Sequence, residues 1–249
     1  MKILRLSALT ALLALPLFSS PALAAGDPAE DDPAGPAIVA RYNFDGGANA
    51  GKISDLSGRG AALTIRGSAN GQVAINSEGT NRFAAFPGIC AADAATCGKA
   101  LLEAPDDADL DPGTRNFKWA ASVRLTTGQL NGNANVMQKG VADAQSQWKM
   151  QVTGRSGRAQ CVLVARTTGQ KFSVLSAGSV ADGNWHRIVC ERAGGTLAIS
   201  VDGTAGGRTA VPETVAVDNA MPLRIGGPNF AKDSDMYHGQ IDDIYVQLG

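Results

Sequence analysis

Over most of its length the chain places apolar side chains at every second position. The longest run is Phe117, Trp119, Ala121, Val123 and Leu125, with Lys118, Ser122 and Arg124 between them. Successive side chains of an extended strand point to opposite faces, so this run predicts a strand with one apolar and one polar face. The alternation recurs at Tyr42 and Phe44, Leu63 and Ile65, Val73 and Ile75, and Trp148, Met150 and Val152. It returns at Cys161 and Leu163, Phe172 and Val174, Ile188 and Cys190, and Leu197, Ile199 and Val201. Leu223 and Ile225, then Ile244, Val246 and Leu248, complete the series. Turn residues separate the runs: Asn70-Gly71, Asp182-Gly183-Asn184, Gly194-Gly195 and Asp202-Gly203. Roughly ten strands joined by short turns predict an all-β domain, a two-sheet antiparallel β-sandwich.

The N-terminal segment departs from this pattern. Lys2 and Arg5 precede an apolar stretch over residues 6–18, and Ala22-Leu23-Ala24 follows as a small-x-small site. This is the layout of a signal peptide over residues 1–24, cut after Ala24 or after Ala25. The apolar stretch is too short to span ~30 Å of hydrocarbon. Residues 25–36 hold only Pro, Gly, Ala and acids. They cannot bury a core and are expected to form a flexible leader. The sandwich then occupies residues 37–249, and a secreted, extracellular protein is expected.

Export changes the meaning of the four cysteines, Cys90, Cys97, Cys161 and Cys190. In an oxidising compartment they are expected to form disulfides, for which three pairings exist. Cys161 and Cys190 fall on the inward positions of two strands and are expected to pair if those strands are neighbours. Cys90 and Cys97 bracket a loop of small residues and are expected to pair with each other. The net charge of -1 lacks the basic excess that nucleic acid or a membrane surface would require, so neither is an expected partner.

Four stretches carry a resemblance. Asp182-Gly183-Asn184-Trp185-His186, followed by Leu197 to Gly203, resembles the DG-x-WH … VDG hairpin of laminin-G-like domains. Tyr42-Asn43-Phe44-Asp45 and Asp55-Leu56-Ser57-Gly58 resemble the opening of such domains. Residues 110–117 resemble the approach to a central strand in the secreted bacterial branch. Leu223-Arg224-Ile225-Gly226-Gly227 and Gly239-Gln240-Ile241-Asp242-Asp243-Ile244 resemble the ending. The ordered set spans residues 37–249 and implies the concanavalin A-like jelly roll, with one concave and one convex sheet. It also implies a place for one structural calcium ion. Similar domains often hold calcium where the first and last strands meet, and Asp45 and Asp242 match those positions by motif order. Strict alternation puts Asp242 on the face of Ile244 and Val246. Its carboxylate is therefore expected to be buried and to need a partner, either the ion or backbone amides.

Many relatives of this fold hydrolyse glycans with two carboxyl groups ~5 Å apart. The glutamates here are Glu30, Glu78, Glu103, Glu191 and Glu213. Only Glu30 has a carboxylate two residues on, Asp32, and that pair lies in the leader. There is no G-x-S-x-G, and His186 and His238 are the two histidines. No catalytic residue is assigned, and a non-enzyme is expected. Asp107-Ala108-Asp109-Leu110-Asp111 opens like an EF-hand loop, but Pro112 and Lys118 occupy the required Gly and Glu positions. What is left is binding. The first expectation is a carbohydrate-binding module with an extracellular glycan across its concave sheet or rim loops. The second is an adhesion domain for a cell-surface or matrix protein, and the third a hydrolase with an unrecognised site. Sugar sites need exposed rings beside amides and acids, and Trp148, Tyr237 and His238 are the candidates. Trp119 and Trp185 are expected in the core, and His186 in a hydrogen bond.

Overall fold

A computed structural model of the chain describes residues 36–90, 96–144, 146–231 and 235–249. The expected signal peptide, and all of the expected leader but Pro36, lie outside the described residues. The strands are β1 (Ala37–Tyr42), β2 (Lys52–Ile53), β3 (Leu63–Ser68), β4 (Ala74–Glu78), β5 (Asn81–Ala85), β6 (Lys99–Ala104), β7 (Phe117–Arg124) and β8 (Ala134–Gly140). They continue as β9 (Gln147–Val152), β10 (Arg158–Val164), β11 (Lys171–Ser179), β12 (His186–Ala193), β13 (Thr196–Val201), β14 (Thr204–Ala210), β15 (Leu223–Ile225) and β16 (Gln240–Leu248). Sheet A runs β14-β13-β12-β7-β16-β5-β4, with β1 also paired to β16; sheet B runs β11-β10-β9-β8-β15-β6-β3-β2. The expected antiparallel sandwich is present, with more strands than the alternation displays. Strands such as β2 and β14 hold too few apolar positions to register as a pattern.

The apolar face of β7 packs inward as its spacing requires. Phe117 and Trp119 stack with ring centroids 4.9 Å apart, and Trp148 of the opposite sheet meets Phe117 edge-on at 5.2 Å. The cluster thus joins the two sheets, and edge-to-face pairs of this kind add about 0.5–1.5 kcal/mol beyond their buried area. The glycine pair after β15 also has a steric cause. Gly226 has φ +87°, and a Cβ there would stand 2.0 Å from the Phe86 ring. Only glycine meets both conditions.

Both expected disulfides are present. Cys90 pairs with Cys97, and Cys161 with Cys190. The second differs from expectation in geometry. Cys161 is on β10 of sheet B and Cys190 on β12 of sheet A, so the bond crosses the core instead of joining neighbours. It holds two Cα atoms 5.7 Å apart, where stacked sheets ordinarily stand ~10 Å apart. Here the sandwich closes at one flank.

Register shifts interrupt five of the strand pairings, and two of these bulges, on β1 and β16, bear on the candidate residues. On β1, Ile38 pairs with Gln247 but Ala40 with Val246, leaving Val39 as the extra residue. On β16, Asp242 pairs with Ser122 but Tyr245 with Ala120. The extra residue there includes Asp243, whose φ is +45°. A bulge switches the faces of everything beyond it. Asp242 consequently shares the outward face with Ser122, not the core face of Ile244 and Val246 that alternation predicted. Outside the bulge, β1 and β16 run side by side, with Ala37 opposite Leu248.

Candidate functional site

None of the three expected ligand rings is presented to solvent. Trp148 is fully buried, and its Nε1 donates to the Leu110 carbonyl at 3.0 Å. It alternates with Gln147 and Lys149, and the core takes the ring. Tyr237 is buried with its hydroxyl bonded to the Gln240 carbonyl at 3.0 Å, and burial pushes its phenol pKa up. His238 is buried with Nδ1 2.8 Å from the Pro87 carbonyl. Both sit in the irregular stretch before β16, where periodicity assigns no side. Trp185 corrects the expectation in the other direction. It is half-buried on the outward face of sheet A, edge-on to Phe83 at 5.4 Å. The Arg124 guanidinium lies over its ring at 4.8 Å and 2.8 Å from Glu78. Its neighbour His186 is bonded as expected, to Asp202 at 2.7 Å and Asp182 at 3.0 Å.

The polar face of sheet B carries a different constellation. β9 alternates Trp148, Met150 and Val152 inward with Gln147, Lys149 and Gln151 outward. The register extends this polarity across the sheet. Lys149 is opposite Gln138 on β8, Gln138 opposite Arg224 on β15, Arg224 opposite Glu103 on β6, and Glu103 opposite Thr64 on β3. One row above, Asn135 is opposite Gln151, which is opposite Gln160. Within the rows, Arg224 and Glu103 form an ion pair at 2.9 Å, and Asn135 donates to Gln138 at 2.7 Å. Gln151 donates to Gln160 at 2.5 Å.

These outward groups are nonetheless sheltered. Asn135 is 0% exposed, Gln138 2%, Gln151 5% and Lys149 8%. The segment after β15 runs beside them. Arg224 donates to the Pro228 carbonyl at 2.7 Å, the Asn135 amide donates to the Asp235 carbonyl at 3.0 Å, and the Asp235 carboxylate is 3.8 Å from Lys149. Burial lowers the pKa of the Lys149 ammonium, an effect that Asp235 opposes and Lys171 reinforces. Two acceptors in this pair of rows, Asn135 Oδ1 and Gln151 Oε1, have no hydrogen-bond partner. The other such atom among the described residues, Trp119 Nε1, is in the core. A buried acceptor left unmet costs about 1–3 kcal/mol. The sequence signal for this site was the polar half of the β9 alternation, a residue class that a search for rings passes over.

The expected calcium residues do come together. Asp45 Oδ1 accepts from the Arg82 amide at 3.1 Å, and Asp242 Oδ2 accepts from Asn81 Nδ2 at 3.1 Å. The start of β5 therefore holds both carboxylates. Burial raises the Asp242 pKa, its bonds to the Asp243 amide and Asn81 oppose this, and the charges of Asp243 and Asp45 add to the rise. A calcium ion takes six to eight oxygens. Here the partners of both carboxylates are N–H groups, from Asn43, Asn81, Arg82 and Asp243, and the Arg82 guanidinium donates to the Asp45 carbonyl. Among the described residues no group of three or more His, Cys, Asp or Glu side chains is arranged to hold a metal. As arranged, this donor set does not fit calcium. The acidic string at 107–111 has other work: its Asp111, together with Asp106 just before the string, pairs with the buried Lys139 at 2.6 and 2.7 Å.

A family model, Laminin_G_3, described as the Concanavalin A-like lectin/glucanases superfamily, matches residues 98–247. No curated protein matches the chain by sequence. Among solved structures, domain 4 of AbnA, a GH43 extracellular arabinanase from Geobacillus stearothermophilus, in complex with arabinotriose, is similar at 16% identity and a TM-score of 0.65. The match covers 86% of this chain and 93% of that one. The binding domain of Paraclostridial Mosquitocidal Protein 1 is similar at 12% identity and a TM-score of 0.62, covering 84% of this chain and 48% of that one. The binding domain of botulinum neurotoxin DC in complex with rat synaptotagmin II follows at 11% and 0.58, covering 84% and 48%. The chain spans about half the length of these two toxin domains. These structures share a jelly-roll fold with it.

Proposed function

The chain belongs to the Laminin_G_3 family of the Concanavalin A-like lectin/glucanases superfamily, and on that premise we propose that it is a secreted, non-catalytic module that binds carbohydrate on the outward face of sheet B. The observation that carries this reading is the facing pair Asn135 and Gln151, whose buried acceptor oxygens lack donors. Sugar hydroxyls are donors of the kind these acceptors lack. Amides, Lys149 and the Arg224–Glu103 pair supply further donors and acceptors of the kind that fix a saccharide's orientation. Two disulfides fit an oxidising, extracellular setting. The arabinotriose-bound relative gives a first probe.

An adhesion role for a protein partner calls for a broad apolar patch. Among the described residues the exposed large apolar side chains are Ile38, Leu56 and Ile89, which favours the carbohydrate reading. Binding of the mature protein to a panel of neutral oligosaccharides that includes arabinotriose tests it. At least one should bind saturably, and Gln151→Ala should weaken that binding about tenfold, or 1.4 kcal/mol, while Trp185→Ala leaves it unchanged. A panel without a single saturable ligand would sink the proposal.

A further inference from the structure

The outward face of sheet A holds a second concavity, and both bulges build it. In a regular strand, residues three apart point to opposite faces. The β1 bulge at Val39 instead brings Ile38 and Arg41 to the same side, opposite Gln247 and Tyr245. The β16 bulge turns Tyr245 to that side and directs the Asp243 carbonyl toward Arg187 of β12. Between them β7 presents only Ala120 and Ser122. These small side chains leave room for Arg187 to lie across the strand. Its Nη1 donates to Ser122 Oγ at 3.3 Å and to the Asp243 carbonyl, and its guanidinium sits 5.0 Å from the Tyr245 ring centre. Ile38, Arg41, Arg187, Asp243, Ile244 and Tyr245 enclose about 320 Å³.

We propose that this cavity binds a saccharide unit bearing a carboxylate or sulfate group. The anionic part follows from the arginines. Among the described residues no carboxylate pairs with the half-buried Arg187 or the exposed Arg41, whereas the half-buried Arg124 and Lys118 of this face pair with Glu78 and Glu191. Arg187 is fixed by neutral oxygens, which leave its charge uncompensated and its Nε and Nη2 donors available. Guanidinium groups so held present fork-shaped donors that match a planar or tetrahedral oxyanion. Asp243 adds one exposed carboxylate at the rim, so the cavity keeps a net positive charge. The Tyr245 ring and the half-exposed Ile38 supply an apolar wall for a pyranose, and the volume suits one ring at the lower end of ligand pockets. Bulges are over-represented beside functional sites, where they re-aim side chains. The sugar half of the proposal rests on the carbohydrate reading above, and the anion half does not.

The test uses the mature chain, titrated calorimetrically with tri-galacturonate, its methyl ester, a sulfated galactose oligosaccharide and hexaglutamate. At least one of the two acidic saccharides should bind saturably. Raising the salt from 50 to 500 mM should weaken that binding. If tri-galacturonate is the ligand, its methyl ester should bind at least about tenfold more weakly, since the ester lacks the charge the forks pair with. Arg187→Gln and, separately, the exposed Arg41→Gln should each cost about tenfold, while Gln151→Ala on the other sheet costs nothing. Arg41→Gln guards against a folding defect in the Arg187 variant, because the Arg41 side chain is exposed. Absence of binding by both acidic saccharides, or binding that survives both arginine changes, would overturn the site. Hexaglutamate binding more tightly than either saccharide would overturn the sugar half. Loss of neutral-glycan binding in Gln151→Ala with acidic binding intact would separate the two sites.

Discussion

His186 Nδ1 lies 2.7 Å from Asp202 Oδ2, while the other ring nitrogen lies 3.0 Å from Asp182. The imidazole is thus held between two carboxylates. Partial burial lowers its pKa, but the bonds to Asp202 and Asp182 outweigh this and the net shift is upward. The Asn184 amide, then His186, bring Asp182 down to about 2. Asp202 is raised by burial, yet the Arg187 amide and His186 leave it lowered overall. A raised histidine stabilises the fold fully below its unfolded value of ~6.5 and loses that contribution as pH rises through its folded value. The lowered aspartates stabilise above ~3.9 and lose their contribution as pH falls through their folded values. The melting temperature should therefore peak between about pH 4 and 6.5 and decline on either side. His186→Gln should flatten the alkaline decline in melting curves recorded from pH 4 to 9. An unchanged alkaline limb would contradict this role.

The bond across the core should matter more than the short loop bond. In the chain-entropy account, the Cys161–Cys190 link, with a separation of 29 residues, stabilises by about 3–4 kcal/mol. The Cys90–Cys97 link, with a separation of 7, gives about 2–3 kcal/mol. Urea titrations of the Cys161→Ala/Cys190→Ala and Cys90→Ala/Cys97→Ala proteins should rank in that order.

Lys139 is fully buried, with its ammonium bonded to Asp111, Asp106 and the Asn219 carbonyl. Lys139→Ala removes the cation and leaves two carboxylates facing each other at the end of β8. Breaking a buried pair in this way costs about 3–5 kcal/mol; because Asp106 is part-exposed, the expected loss is near the lower end. Equilibrium unfolding of the variant measures it, and a loss below ~1 kcal/mol would show the pair to be dispensable.

The start of β5, which holds Asp45 and Asp242, gives a prediction about metal. With N–H donors on both carboxylates, the protein should melt at the same temperature in excess chelator and in millimolar calcium. A native-state ligand at a hundred times its Kd would add about 2.7 kcal/mol, so a calcium-dependent rise of several degrees would refute the assignment.

Much of the sandwich could be read from the chain because one physical rule generates it. A strand buried on one face must alternate, and Phe117 to Leu125 does. The same rule failed at Asp242, where a single extra residue at φ +45° reverses the faces. Nothing in Asp242-Asp243 announces a bulge, since glycine is the usual occupant of that conformation. The rings misled for a related reason. Tyr237 and His238 lie where no period exists, and Trp148 belonged to a run whose polar members, Gln147, Lys149 and Gln151, form the candidate floor. The register that aligns those members with Gln138, Arg224 and Glu103 is a property of strands distant in sequence, and local pattern does not contain it.

The antiparallel pairing of Ala37 with Leu248 places the first and last strands in contact at their outer ends. A pull applied through those two residues would meet the hydrogen bonds of β1 one at a time, as in a zipper, and not all at once in shear. β16 is braced by β7 and β5 on its two sides, so β1 is the strand that would yield. The Cys161–Cys190 bond joins other strands and would carry none of that load. Tension would therefore peel a six-residue strand and expose the β16 flank of the Arg41 cavity before it disturbed the polar floor on the opposite sheet, so the two proposed sites would yield at different loads.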